Sequence, residues 1–188
     1  MANTKNNVTT GKPKTAGAVY RAAAGTSVPT DATTSLAEAF KCMGYISEDG
    51  FRNGTSFDTE VIRDWGGEAV YEEEGNFEDT FKLKFIEALN VDVLKAVHNS
   101  ANVSGALATG IAVSVNGAEH ESAAWVIDMI MRGGVLKRIC IPDAKITSVE
   151  EVVYKKNEPV GYDVTLKAFT DSAGKYHYEY IKQSGSSV

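Results

Sequence analysis

The chain has 188 residues, 43% of them hydrophobic and 23% charged, with a net charge of −6 and an isoelectric point of about 5.1. That is a globular composition with length for one domain and a sizeable core. It argues against a surface that grips nucleic-acid phosphates, which needs a basic stripe, but not against one that nucleic acid passes without sticking. No apolar run is long enough to span a membrane, so no membrane binding by this chain is expected.

Residues 1–15 are polar and carry lysines but no apolar segment, so they read as a flexible arm and not as a secretory signal. Residues 16–182 read as a single β-domain, and 183–188 as a short flexible tail. Gly17 to Ala23 predicts a short strand. Ser35-Leu36-Ala37-Glu38 fits the capping-box pattern and predicts one helical turn. Cys42 to Ser47 predicts a strand, and Glu48-Asp49-Gly50 a turn. Cys42 and Cys140 lack metal-ligand spacing and read as two buried thiols.

Residues 48–76 break the pattern. Gly54, Gly66, Gly67 and Gly75 interrupt short apolar pieces, so the segment reads as a long excursion from the domain, a partly ordered hairpin. From Asp58 on it carries Asp58, Glu60, Asp64, Glu68, Glu72, Glu73 and Glu74 around one base, Arg63, with Glu78 and Asp79 just beyond. These acids could serve a metal, an active site or a surface that repels something.

A clear strand follows. Phe77, Phe81, Leu83 and Phe85 share one parity, and Glu78, Thr80, Lys82 and Lys84 share the other; only Asp79 spoils the apolar face. Asn90 is an N-cap in type, and Val93, Leu94 and Val97 follow helical spacing, which predicts a helix over Asn90 to His98 packed through that face. Ala106 to Val115 predicts a strand weakened by Gly110. Ala123 to Met131 predicts a strand with Trp125, Ile127, Met129 and Met131 on one face and Asp128 outward. Gly133-Gly134 predicts a hairpin turn, and Pro142 closes the second strand. Ala144 to Tyr154 predicts another strand. Val160 to Phe169 alternates, with Tyr162, Val164, Leu166 and Ala168 inward and Asp163, Thr165 and Lys167 outward. Lys175 to Ile181 predicts a last strand. The sum is mainly β: two packed antiparallel sheets, a sandwich or partial barrel, with one flanking α-helix.

The search for chemistry is negative. No nucleophile elbow, phosphate loop, dinucleotide glycine pattern or zinc-protease motif is present. Glu119-His120-Glu121 has no further His or Cys at ligand spacing and reads as an exposed loop of mixed charge. Glu72-Glu73-Glu74 lacks calcium-loop spacing. No catalytic, cofactor or metal residue is assigned, and no enzyme activity is expected.

Four runs together resemble the major tail proteins of tailed bacteriophages, the tail-tube subunits of long, non-contractile tails. They are GAVYRAAAGTSVPTDATTSLAEAFKCMGYISEDGF (17–51), TFKLKFIEALNVDVLKAVHN (80–99), AWVIDMIMRGGVLKRICIPDAKIT (124–147) and VGYDVTLKAFTDSAGKYHYEYI (160–181). The resemblance implies a structural virion protein, assembled in the host bacterial cytoplasm. It implies hexameric rings that stack with copies of the same chain into a tube, with a long loop and terminal arms reaching the next ring. The implied partners are a tape-measure protein, tail terminator and distal tail proteins, and DNA that passes through the channel without specific binding. On this reading the helix is Asn90 to His98 and the ring-stacking loop is 48–76, with Asp58, Glu60, Arg63, Asp64, Glu68, Glu72, Glu73 and Glu74 as its charged candidates. The candidate channel-facing residues are Glu78, Thr80, Lys82, Lys84, Asp163, Thr165 and Lys167. The net charge of −6 suggests an acidic or neutral wall, with the lysines paired to acids. Alternatives are a tube subunit of a contractile tail or injection machine, and a β-sandwich binding or decoration module.

Overall fold

The computed structural model describes residues 3–14 and 17–184; residues 1, 2, 15, 16 and 185–188, which include the ends of the expected arm and tail, lie outside them. The strands are β1 (Gly11–Pro13), β2 (Val19–Ala23), β3 (Lys41–Cys42), β4 (Arg52–Arg63), β5 (Ala69–Phe85), β6 (Val103–Ala106), β7 (Gly110–Val113), β8 (Ala123–Met131), β9 (Val135–Val149), β10 (Tyr162–Ala168) and β11 (Tyr178–Gln183), with one α-helix, α1 (Val91–His98), after β5. The fold is mainly β, as its alternation predicts. Nine strands form one antiparallel sheet in the order β3-β2-β8-β9-β10-β5-β4, with β1 also on β8 and β11 also on β9. β6 and β7 form a separate two-stranded sheet.

The large sheet curls without closing. Phe85 of β5 and Trp125 of β8 lie on strands separated by two others in the sheet, yet their rings stack at 6.4 Å. A single bridge, Ile46 to Phe85, joins the chain after β3 to β5. The core lies inside the curl: Phe81, Leu83, Phe85, Trp125, Ile127, Val164 and Leu166 are buried there. Helix α1 covers it. The Asn90 side chain accepts from the Asp92 N–H at 3.0 Å, and Val93, Leu94, Ala96 and Val97 are buried.

Gly133 and Gly134 both sit at φ of 76°, a left-handed conformation that only glycine adopts freely, and they turn β8 into β9 as expected.

Several expectations are corrected. Pro142 does not end a strand; it lies within β9. On one side of β9, β11 pairs up to Cys140 and β10 starts at Ala144, while on the β8 side the register shifts between Ala123 and Trp125. Pro142 therefore falls between partners, where its missing N–H costs no ladder bond. The second expected strand, Ala144 to Tyr154, is the end of the same β9, and residues 150–161 are irregular. Residues 106–115 hold a turn and β7, not one strand, because β6 folds back at Ala106 to Gly110. No helical turn forms at Ser35. The Asp31 carboxylate accepts from the Thr33 and Thr34 N–H groups instead, at 2.5 and 2.7 Å, and those bonds with the Thr34 and Thr33 hydroxyls hold its carboxyl below the usual range.

Asp128 is not outward. It is 4% exposed and paired with Arg138, itself 1% exposed, at 2.6 and 2.9 Å. Arg138 also donates to the carbonyls of Asp31 and Thr34, at 3.1 and 2.7 Å. This tie holds residues 29–40 over the back of β8 and β9, above a second small core of Ala22, Phe40, Ala124, Val126 and Cys140. β8 is thus buried on both faces. Cys140 is buried, and burial pushes its thiol up to about 12; Cys42 is exposed, against expectation.

Two stability outcomes follow. Leu94→Ala opens a cavity under α1 and is expected to cost about 2–4 kcal/mol in urea unfolding. Asp128→Ala strands a buried guanidinium and is expected to cost about 3–5 kcal/mol, more than any single exposed acid of β4 or β5.

Candidate functional site: an exposed hairpin on a neutral body

The excursion is a long, regular β-hairpin. β4 pairs with β5 from Arg52–Lys82 to Arg63–Ala69, with register shifts at Phe57/Thr59 and Ile62/Arg63. Its tip is closed by hydrogen bonds from the Asp64 N–H to the Glu68 carbonyl (2.9 Å) and from the Glu68 N–H to Asp64 Oδ1 (2.8 Å). Glycines at 54, 66, 67 and 75 obscured the strand pattern in the sequence; Gly66 and Gly67 lie in the turn, Gly75 beside a register shift, and Gly54 in the regular ladder opposite Thr80.

β5 belongs to two environments. From Asp79 to Phe85 its inward parity is buried, while Ala69 to Asn76 are exposed. The eight exposed residues extend about 25 Å beyond the core at strand rise. Asp79 marks the boundary. It is fully buried on the core parity, and two groups satisfy it: His177 Nδ1 at 2.5 Å and Asn53 Nδ2 at 2.7 Å. Asn53 lies on β4 and His177 just before β11, so one carboxylate ties both hairpin strands to the body. The His177 ring also stands edge-on to Phe81, and the Phe77 ring packs between Phe57 and Tyr176.

All the hairpin candidates are exposed: Asp58, Glu60, Arg63, Asp64, Glu68, Glu72, Glu73 and Glu74. Residues 57–76 hold seven acids and one base, a net −6, which equals the net charge of the whole chain; the other residues balance at 18 acids and 18 bases. Apolar side chains are interspersed. Ile62 and Tyr71 are paired on one face, and Val61 and Val70 stand on the other; at the tip Trp65 is fully exposed.

The outward face of β5 and β10 is brought together as its parity requires. Lys84 stands opposite Asp163, Lys82 opposite Thr165 and Thr80 opposite Lys167. Lys167 donates to Glu78. Registry adds Arg52 beside Lys82. A shallow groove of about 200 Å³ gathers Asp49, Arg52, Lys82, Lys84, Glu150 and Asp163, three acids and three bases. This face is charge-balanced. The chain's net −6 resides on the hairpin and not on this face.

Glu119-His120-Glu121 is tied down rather than loose. Asn99 brackets it, donating to the Glu119 carbonyl and accepting from the Glu121 N–H, each at 3.1 Å. Glu119 accepts from Lys145 at 2.6 Å, and Glu121 from Ser100 and Arg21. Burial lowers the pKa of His98 and of His120. No cluster of three or more metal-binding side chains occurs among the described residues.

With this geometry in place, the comparisons decide the class. The family model of the phage tail tube protein matches residues 1–187. The chain belongs to the phage tail tube protein family. It is a structural protein of the virion tail. Among solved structures it is similar to the tube-terminating cap of the anti-feeding prophage, with 15% identity, a TM-score of 0.42, and coverage of 98% of this chain and 100% of that one. No curated protein matches it in sequence.

The hairpin root gives a direct test. His177→Phe keeps an aromatic ring against Phe81 but removes one of two partners of a buried carboxylate. It is expected to cost about 1–3 kcal/mol and to speed amide exchange at residues 52–56 and 77–80 while α1 stays protected. Unchanged exchange at the root would exclude the Asp79 tie.

Proposed function

We propose that this tail tube protein assembles as hexameric rings that stack into the tube of a long, non-contractile tail, and that genomic DNA passes through it. A tape-measure protein occupies the channel during assembly, and terminator and distal tail proteins bind the ends. One observation supports this reading above others: the hairpin of β4 and β5 exposes Trp65, Ile62, Tyr71 and Val70 to water and carries the net charge of the chain. An isolated subunit gains nothing from such a projection, whereas an assembling one buries it against a neighbour.

The channel lining in this reading is the polar face of β5 and β10: Glu78, Thr80, Lys82, Lys84, Asp163, Thr165 and Lys167. DNA carries about one charge per 1.7 Å of duplex, so an unpaired row of lysines would hold it along the whole tail. The Glu78–Lys167 pair and the balanced groove around Lys82 and Lys84 remove that hazard by local neutralisation instead of bulk repulsion.

Replacing residues 57–75 by a short turn is expected to leave the circular dichroism of the body intact, because the core residues of β5 begin at Asp79. The same variant is expected to form no tubes in negative-stain electron microscopy where the full chain does. Tubes formed without the hairpin would overturn its stacking role; unfolding would show that it belongs to the core.

A further inference from the structure

The hairpin needs a receiving surface, and the body carries one at its other end. An open groove of about 880 Å³ is lined by Ile86, Ala88, Leu89, Tyr154, Val160 and Tyr162. Leu89 is 65% exposed and Tyr154 is 76% exposed. The polar groups in this region are already engaged: Glu87 accepts from the Tyr45 N–H and from Asn90 Nδ2, both at 2.9 Å. What the groove offers is apolar surface without a partner.

We infer that this groove is the socket for the hairpin tip of a second copy, with Trp65 as the inserted anchor. The inference rests on the stacked assembly proposed above. Three observations carry it. First, tip and groove lie at opposite ends of one strand: the hairpin precedes Phe77 and the groove residues begin directly after Phe85. A subunit cannot fill its own groove, and a tip-to-groove contact is heterologous, repeating in one direction from layer to layer. Second, the tip is presented in a fixed shape. The Asp64–Glu68 bonds close the turn, so Trp65 is displayed at low entropic cost, and a large aromatic in an apolar pocket is the usual centre of a strong interface. Third, a base near the groove is available to the acids of the tip. Asp64 and Glu68 flank Trp65. On the groove side, the exposed Lys156 stands two residues from Tyr154. Glu87, the acid of the groove lining, is held by its two internal bonds to the Tyr45 N–H and Asn90 Nδ2.

The test uses the full chain in a Cys42→Ser background, because Cys42 is the exposed thiol and Cys140 is buried. Trp65→Cys and Leu89→Cys are made as separate proteins, mixed, assembled and treated with a short bis-maleimide. The expected result is a covalent heterodimer that neither protein gives alone. A parallel pair tests energy: Trp65→Ala and Leu89→Glu should each raise the concentration needed for tubes by roughly tenfold or more while leaving the monomer folded. Their mixture should give short two-layer species and no tubes, since one good contact remains between them. Tubes with no 65–89 cross-link, or with the linker joining position 65 to another site by peptide mapping, overturn the socket and leave the stacked assembly standing. Failure of the unsubstituted chain to form rings or tubes at any concentration overturns both.

Discussion

The structure depends on one strand that lives in two solvents. β5 begins as a water-exposed hairpin arm and ends as the centre of a dry core, with no break in its backbone. A strand can do this only if each half is satisfied separately. Phe81, Leu83 and Phe85 anchor the inner half by apolar burial. The outer half has no core, and β4 supplies its hydrogen bonds as far as Ala69. At the junction the chain places a carboxylate where a fourth core residue would otherwise sit. Asp79, satisfied by Asn53 and His177, marks where the body stops and fixes both hairpin strands to it. A buried carboxylate is tolerable only when such partners are in place, so the junction is specific as well as stable.

The same strand separates the charges. The body is neutral and the hairpin carries −6. This division suits the two tasks proposed for the subunit. A neutral, internally paired surface does not hold a polyanion that slides past it. A charged, apolar-studded projection stays soluble alone and finds a complementary neighbour. The buried Asp128–Arg138 pair contributes elsewhere: it fixes residues 29–40 over the back of β8 and β9, which turns a two-layer arrangement into one covered on both faces.

Much of this was legible. The alternation of β5 and β10, the Gly133-Gly134 turn and the capped helix at Asn90 each follow from local chemistry. The candidate polar face came together because strand parity leaves no choice once the inner face is apolar. Other features were hidden for identifiable reasons. The hairpin lacks an apolar face, so its arms have no period to detect, and its glycines imitate loop composition. Asp128 and Arg138 are ordinary polar residues in sequence; only their cross-strand registry joins them. The one available signal was the continuous apolar run Ala123 to Ile127, which marks a strand buried on both faces and implies something packed behind it.

By itself the sequence determined the class of fold, the positions of the core strands and helix, and the absence of a recognisable catalytic constellation, because those depend on neighbours within a few residues. Its family resemblance is matched by the family model over residues 1–187. Tertiary structure alone decided where the charge resides relative to the core, which polar residues are buried pairs, and that a tip and a groove occupy opposite ends of β5. The reason is physical. Periodicity reports which side of an element meets apolar surface, but registry and the curl of a sheet are set by contacts between residues far apart in the chain, and those contacts decide whether an acid is a surface charge, a buried partner or part of a projection.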